Sequence, residues 1–80
     1  VQIVAHFRNE LVEAIVELDA SSTVSAHRIA GIAGTLGFDA VSASWLKLSN
    51  GQTEAAGQAR RDARIAIAQI DRDTLLSNPI

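Results

Sequence analysis

Apolar residues recur every three or four positions at the start of the chain, at Val4, Phe7, Leu11, Ile15 and Leu18. On a 3.6-residue period they fall in one stripe, which predicts a helix from about Gln2 to Leu18 with Arg8, Asn9, Glu13 and Glu17 on the wet side. Asp19-Ala20-Ser21-Ser22 interrupts the stripe with turn residues and candidate N-caps. A second helix follows from about Thr23 to Leu36, with Ala26, Ile29, Ala33 and Leu36 inward, and Gly37 stands where a left-handed residue ends a helix. A third starts after Asp39 as N-cap, carries Val41, Trp45 and Leu48 on one face with Leu46 beside them, and stops at Ser49-Asn50-Gly51. The fourth runs from about Thr53 to Ile70, extending towards Leu75 before Pro79. Ala56, Ala59, Ala63, Ala66, Ile67 and Ile70 line its buried side, and Arg60, Arg61, Asp62, Arg64 and Asp71 its wet side.

Links this short join antiparallel neighbours, so the pattern predicts an all-α fold, an antiparallel up-down-up-down four-helix bundle. Apolar alternation at period two never persists, which disfavours strands. No internal repeat or low-complexity tract is present. Trp45 and Phe7 are the expected keystones of a small core.

Composition narrows the picture. Eighty residues make a single domain, 1–80, and no cysteine is present to form a disulfide or a thiolate metal site. At 48% hydrophobic the chain has enough apolar content to fold. A formal charge of −2, without an extended basic cluster, argues against nucleic acid as a partner. No apolar run is long enough to cross a membrane, and no signal-like start is present, so the cytoplasm is the expected location. The absence of an initiator methionine and the mid-helix opening suggest that further residues precede Val1. His6 and His27 are placed on different helices without short-spaced carboxylate partners, so no metal site and no bound cofactor is expected.

His27 is the candidate for chemistry. Residues at i−4, i+3, i+4 and i+7 surround a helical side chain, and here they are Thr23, Ala30, Gly31 and Gly34, all small. An exposed glycine inside a helix costs about 1 kcal/mol relative to alanine, so two of them call for compensation. Close helix packing is one explanation; a clear approach to the imidazole is the other. The two combine if Gly34 and Gly37 serve packing and termination while Gly31 clears the face. Imidazole, with a reference pKa of about 6.5, is a nucleophile at neutral pH. His6, beside the first stripe, shows no comparable surroundings.

The segment Ala26-His27-Arg28-Ile29-Ala30-Gly31-Ile32-Ala33-Gly34-Thr35-Leu36-Gly37 resembles the phosphorylated helix of histidine-containing phosphotransfer (HPt) domains. That family places a lysine three residues after the histidine, glycine at four and often at seven, and Leu-Gly at nine and ten. His27, Gly31, Gly34, Leu36 and Gly37 match, and the predicted bundle covers the rest of the chain, without the short leading helix that many members carry.

The resemblance implies a phosphorelay intermediate rather than an enzyme in its own right. His27 would accept a phosphoryl group at Nε2 from the aspartate of a response-regulator receiver, or of a hybrid histidine kinase's receiver, and deliver it to another. Mg²⁺ would belong to the receiver, and no kinase region is present.

The lysine position holds Ala30. Arg28, about 100° around the helix from His27, is one alternative cation. Arg60, Arg61 and Arg64 are others if their helix lies alongside, and they also offer charge for receiver docking. Two further readings remain at this level: an HPt-like module that docks receivers without relaying phosphate, and a helical dimerisation or adaptor segment with weak self-association.

Overall fold

The computed structural model describes residues 2–77, and the side chains of residues 3–73. Four helices make the bundle: α1 (Gln2–Asp19), α2 (Ala26–Leu36), α3 (Asp39–Ser49) and α4 (Ala56–Ser77), the last entered through a single 3₁₀ turn, Thr53–Ala55. Among the described residues there is no strand. Each helix packs against its neighbours in sequence and α4 closes the ring against α1, giving the antiparallel up-down-up-down order. The two diagonal pairs, α1 with α3 and α2 with α4, have no close backbone approach among the described residues and meet only through the shared core.

The stripes meet as the pattern predicts. Phe7, Leu11, Ala14 and Leu18 from α1 and Ala26, Ile29, Ala30 and Ala33 from α2 are buried with Val41, Trp45 and Leu48 from α3. The last helix adds Ala59, Ala63, Ala66 and Ile70, while Val4, Ile15, Leu36, Ala56 and Ile67 pack at the edge. The alanine stripe of α4 has little bulk of its own, so it brings its backbone close to the large side chains opposite. Trp45 uses that proximity: its indole Nε1–H donates to the Ala59 carbonyl at 3.0 Å. The ring of Phe7 lies 5.4 Å from that of Phe38, tilted by 36°. Phe38, absent from the predicted stripes, thereby closes the end of the core beneath the α2–α3 turn.

Three helix ends are closed by one device. The amide two or three residues beyond the helix reaches back to a carbonyl five earlier, in Ser22→Glu17, Phe38→Ala33 and Gln52→Lys47 at 2.8–3.0 Å. This arrangement needs a left-handed residue. Gly37 (φ 88°) and Gly51 (φ 87°) supply it freely, whereas Ser21 (φ 64°) occupies the same conformation despite its Cβ.

Two helix starts differ from expectation. The second begins at Ala26, not Thr23, because the Ser25 hydroxyl donates to Glu17 Oε1 at 2.9 Å instead of capping its own helix. Asp39 is the first helical residue of α3, with Phe38 before it, so its carboxylate favours the helix dipole rather than acting as the N-cap. Beyond Ile70, α4 continues to Ser77; Pro79 lies outside the described residues.

Ion pairs join opposite ends of α1 and α4. Arg60 reaches Asp19 at 2.6 Å, and Arg8 binds Asp71 through two hydrogen bonds, Nε to Oδ1 at 2.6 Å and Nη2 to Oδ2 at 3.1 Å. The Arg8 hydrogen bonds hold the Asp71 carboxyl below its ordinary value. A depressed carboxylate contributes stability above its unfolded pKa, about 3.9, and loses that contribution as pH falls through the folded value. The melting-temperature difference between the wild type and Asp71→Asn should therefore be largest near neutrality and close as pH falls below about 4. Both side chains are partly exposed, so added salt should shrink the difference. A constant difference between pH 7 and pH 2 would show that the pair is not its source.

Candidate functional site

The second helix contacts α1 on one side and α3 on the other, which leaves a strip of its surface facing outward. His27 lies on that strip and is exposed. One turn further on, Gly31 is exposed too, and a Cβ placed on it would meet nothing within 4 Å. The imidazole therefore stands beside an uncovered patch of helix backbone. His27, Arg28, Gly31, Ile32, Thr35 and Leu36 line one wall of a shallow cavity of 390 Å³, and Ile3 of α1 lines the other.

The glycines of α2 serve three different ends. A Cβ at Gly34 would lie 3.2 Å from Ser42 Oγ. That hydroxyl donates to the Ala30 carbonyl at 2.9 Å, so Gly34 permits the close α2–α3 approach. Gly37 ends the helix with its left-handed φ. Gly31 has neither duty. It has a negative φ and open space, and packing gives no reason to prefer it over alanine.

The other expected site residues divide. Arg28 stays with the site, its guanidinium reaching across to Glu10 of α1 at 2.5 Å. Ala30 does not belong to the open face: it is only 4% exposed. Being three residues from His27 places a residue on the histidine's flank, and in this bundle that flank turns into the core. Gly34 is exposed, and its lack of a side chain makes room for Ser42 of α3.

Arg60, Arg61 and Arg64 count as cations for His27 only if their helix lies alongside α2, and the topology does not meet that condition. Their helix is diagonal to α2, so they share no wall with the imidazole. Arg60 is engaged with Asp19, Arg61 Nη2 donates to Gln58 at 2.9 Å, and Arg64 faces outward.

Three residues of the groove were not singled out from the sequence. Ile3, 68% exposed, is an apolar residue off the α1 stripe. His6 and Glu10 line the adjoining 540 Å³ lobe together with Ile3, Phe7, Arg28 and Ile32. The i, i+4 spacing of His6 and Glu10, and an isoleucine outside its stripe, were the available signals. His6 Nε2 lies 3.8 Å from the same Glu10 oxygen that Arg28 approaches.

No family profile, curated protein or solved structure matches the chain. The reading of the groove therefore starts from its own chemistry. It presents an unobstructed imidazole, a nearby guanidinium and a border of isoleucines, with no acid committed to His27, since Glu10 is engaged with Arg28. Among the described residues no group of three histidine or carboxylate side chains could hold a metal ion, and no helix is long and apolar enough to cross a membrane. Such a surface can take a group onto a ring nitrogen.

Proposed function

We propose that this chain is an HPt-like phosphorelay domain in which His27 carries the phosphoryl group between receiver aspartates. The observation that carries the reading is the uncovered face at Gly31, beside an exposed His27 and with no packing role of its own. The bundle and the matching positions His27, Gly31, Gly34, Leu36 and Gly37 support it.

The forward step requires the ring tautomer of His27 with its proton on Nδ1 and the lone pair of Nε2 facing the donor. Nε2 attacks the phosphorus of a receiver's aspartyl phosphate. The P–N bond forms as the P–O bond breaks, and the electron pair of the latter returns to the aspartate carboxylate. Nδ1 keeps its proton, so the phosphorylated ring is cationic. The reverse sequence returns the group to a second receiver.

The transferred group moves through a loose transition state, so positioning and charge neutralisation do most of the catalytic work. The receiver's Mg²⁺ and cations would supply the latter. This chain contributes the nucleophile, a surface on which the receiver can seat without steric obstruction, and an apolar border at Ile3 and Ile32. It forms a phosphohistidine without being an autonomous kinase.

Mixing the domain with a panel of ³²P-labelled phospho-receivers tests the reading. Label should pass to the wild type and not to His27→Gln, whose fold should be unaffected because position 27 is exposed. Ala30 in place of the family's lysine favours a second reading, a module that docks receivers without relaying phosphate; binding without label transfer would select it. Absence of both binding and transfer across the panel would sink the receiver assignment.

A further inference from the structure

With Ala30 buried and the α4 arginines on the far diagonal, one described cation shares the cavity wall with His27: Arg28. Its guanidinium is paired with Glu10, whose side chain is only 13% exposed whereas that of Arg28 is 66% exposed. The acid is thus the fixed partner and the guanidinium the movable one. Arg28 also lines the acidic hollow formed by Glu10, Glu13 and Glu17 on the other side, so its stem stands between an anionic pocket and the His27 cavity. Three residues on from Arg28 and four on from His27 lies Gly31, so no side chain separates the two across the next turn.

We infer that Arg28 is a latched cation for the phosphorylated state: it pairs with Glu10 while His27 is free and turns to the phosphoryl oxygens once His27 is modified. This rests on the relay reading above. A phosphoryl group brings a dianionic set of oxygens into a cavity whose nearest mobile guanidinium has a single carboxylate partner. Guanidinium matches such oxygens well through its forked donors. The exchange leaves Glu10 with the His6 ring still within reach, 3.8 Å away. Glu10 thereby opposes the phosphorylated state by competing for Arg28. The pair sets the lifetime of the phosphohistidine.

The test loads His27 with potassium phosphoramidate, which needs no receiver: Nε2 takes the phosphoryl group and ammonia leaves. Histidine ring resonances in NMR distinguish modified His27 from His6. The half-life of phosphorylated His27 is then followed in the wild type, Arg28→Gln, Arg28→Lys and Glu10→Gln. Removing the guanidinium should shorten it about two- to fivefold, the range available to one exposed ion pair. Lysine should restore part of the loss, and Glu10→Gln should lengthen the half-life. The Arg28 side-chain Nε–H resonance should shift on loading in the wild type.

Equal half-lives in all four proteins, with an unmoved Arg28 resonance, would overturn the latch while leaving the relay untouched. Label that fails to pass from any phospho-receiver to a domain that phosphoramidate still loads would instead defeat the relay alone. Failure of both phosphoramidate and every phospho-receiver to modify His27 would defeat both.

Discussion

Trp45→Ala is expected to remove a quarter or more of the domain's folding stability. The indole is the largest fully buried side chain and is 1% exposed. It spans the space between α3 and the alanine stripe of α4, where Ala59, Ala63 and Ala66 have too little bulk to collapse into the gap. Truncation of a buried aromatic of this kind costs about 3–5 kcal/mol. A domain of this size has roughly 4–12 kcal/mol in total, on the usual per-residue scale. The urea midpoint should therefore fall by about a quarter or more of its value. Far-UV circular dichroism must report it, because Trp45 is the sole tryptophan. Trp45→Phe separates the two contributions. It keeps most of the apolar volume and loses the 3.0 Å bond to the Ala59 carbonyl, so it should cost about 1–2 kcal/mol, one hydrogen bond plus a small void. If alanine and phenylalanine cost the same, the indole bulk is not what holds α3 to α4.

The helices were legible because their information is local and periodic. The stripe through Phe7, Leu11 and Leu18 cannot be drawn on a strand, and turn chemistry at Gly37 and Asn50-Gly51 leaves little freedom over where α2 and α3 end. Ring closure by α1 and α4 followed from short links. What the pattern could not supply was rotation and partner choice. Ala30 lies between the inward stripe and the exposed strip of α2, and only the close α2–α3 contact through Ser42 decides that it is buried. The Arg60, Arg61 and Arg64 cluster was conspicuous in sequence, yet its relation to His27 depends on α2 and α4 being diagonal rather than adjacent. The candidate caps at Asp19-Ala20-Ser21-Ser22 stand too early for α2, which starts at Ala26 after Ser25, whose hydroxyl is held by Glu17. His6 seemed unremarkable because Glu10 acquires its significance from Arg28, eighteen residues away. The nucleophile of the proposed site is visible in a short motif; its electrostatic surroundings are assembled from two helices and are not.

Gly31 supplies the sharpest separation between a structural and a functional explanation of the motif, because its substitution should move stability and transfer in opposite directions. With open space for a Cβ and an ordinary helical φ, Gly31→Ala should stabilise the fold by about 0.5–1 kcal/mol, the conformational freedom that glycine loses in a helix. Its neighbours behave otherwise. Gly34→Ala drives a methyl to 3.2 Å from Ser42 Oγ, at the hydroxyl that bonds Ala30, and Gly37→Ala forces a side chain into φ 88°, so both should destabilise. Gly31→Gln should retain most of the alanine gain in stability, since glutamine is also a good helix former. Its longer side chain, however, reaches into the cavity between His27 and Thr35, where the proposed receiver must seat. Transfer from a phospho-receiver should drop by at least about tenfold, or ~1.4 kcal/mol in the barrier. Loading by phosphoramidate, which requires no docking, should change little. The two measurements together distinguish a blocked surface from a damaged nucleophile. A Gly31→Gln protein that is more stable and relays phosphate at the wild-type rate would show that the open face has no part in transfer, removing the main structural support for His27 as a receiver-facing relay.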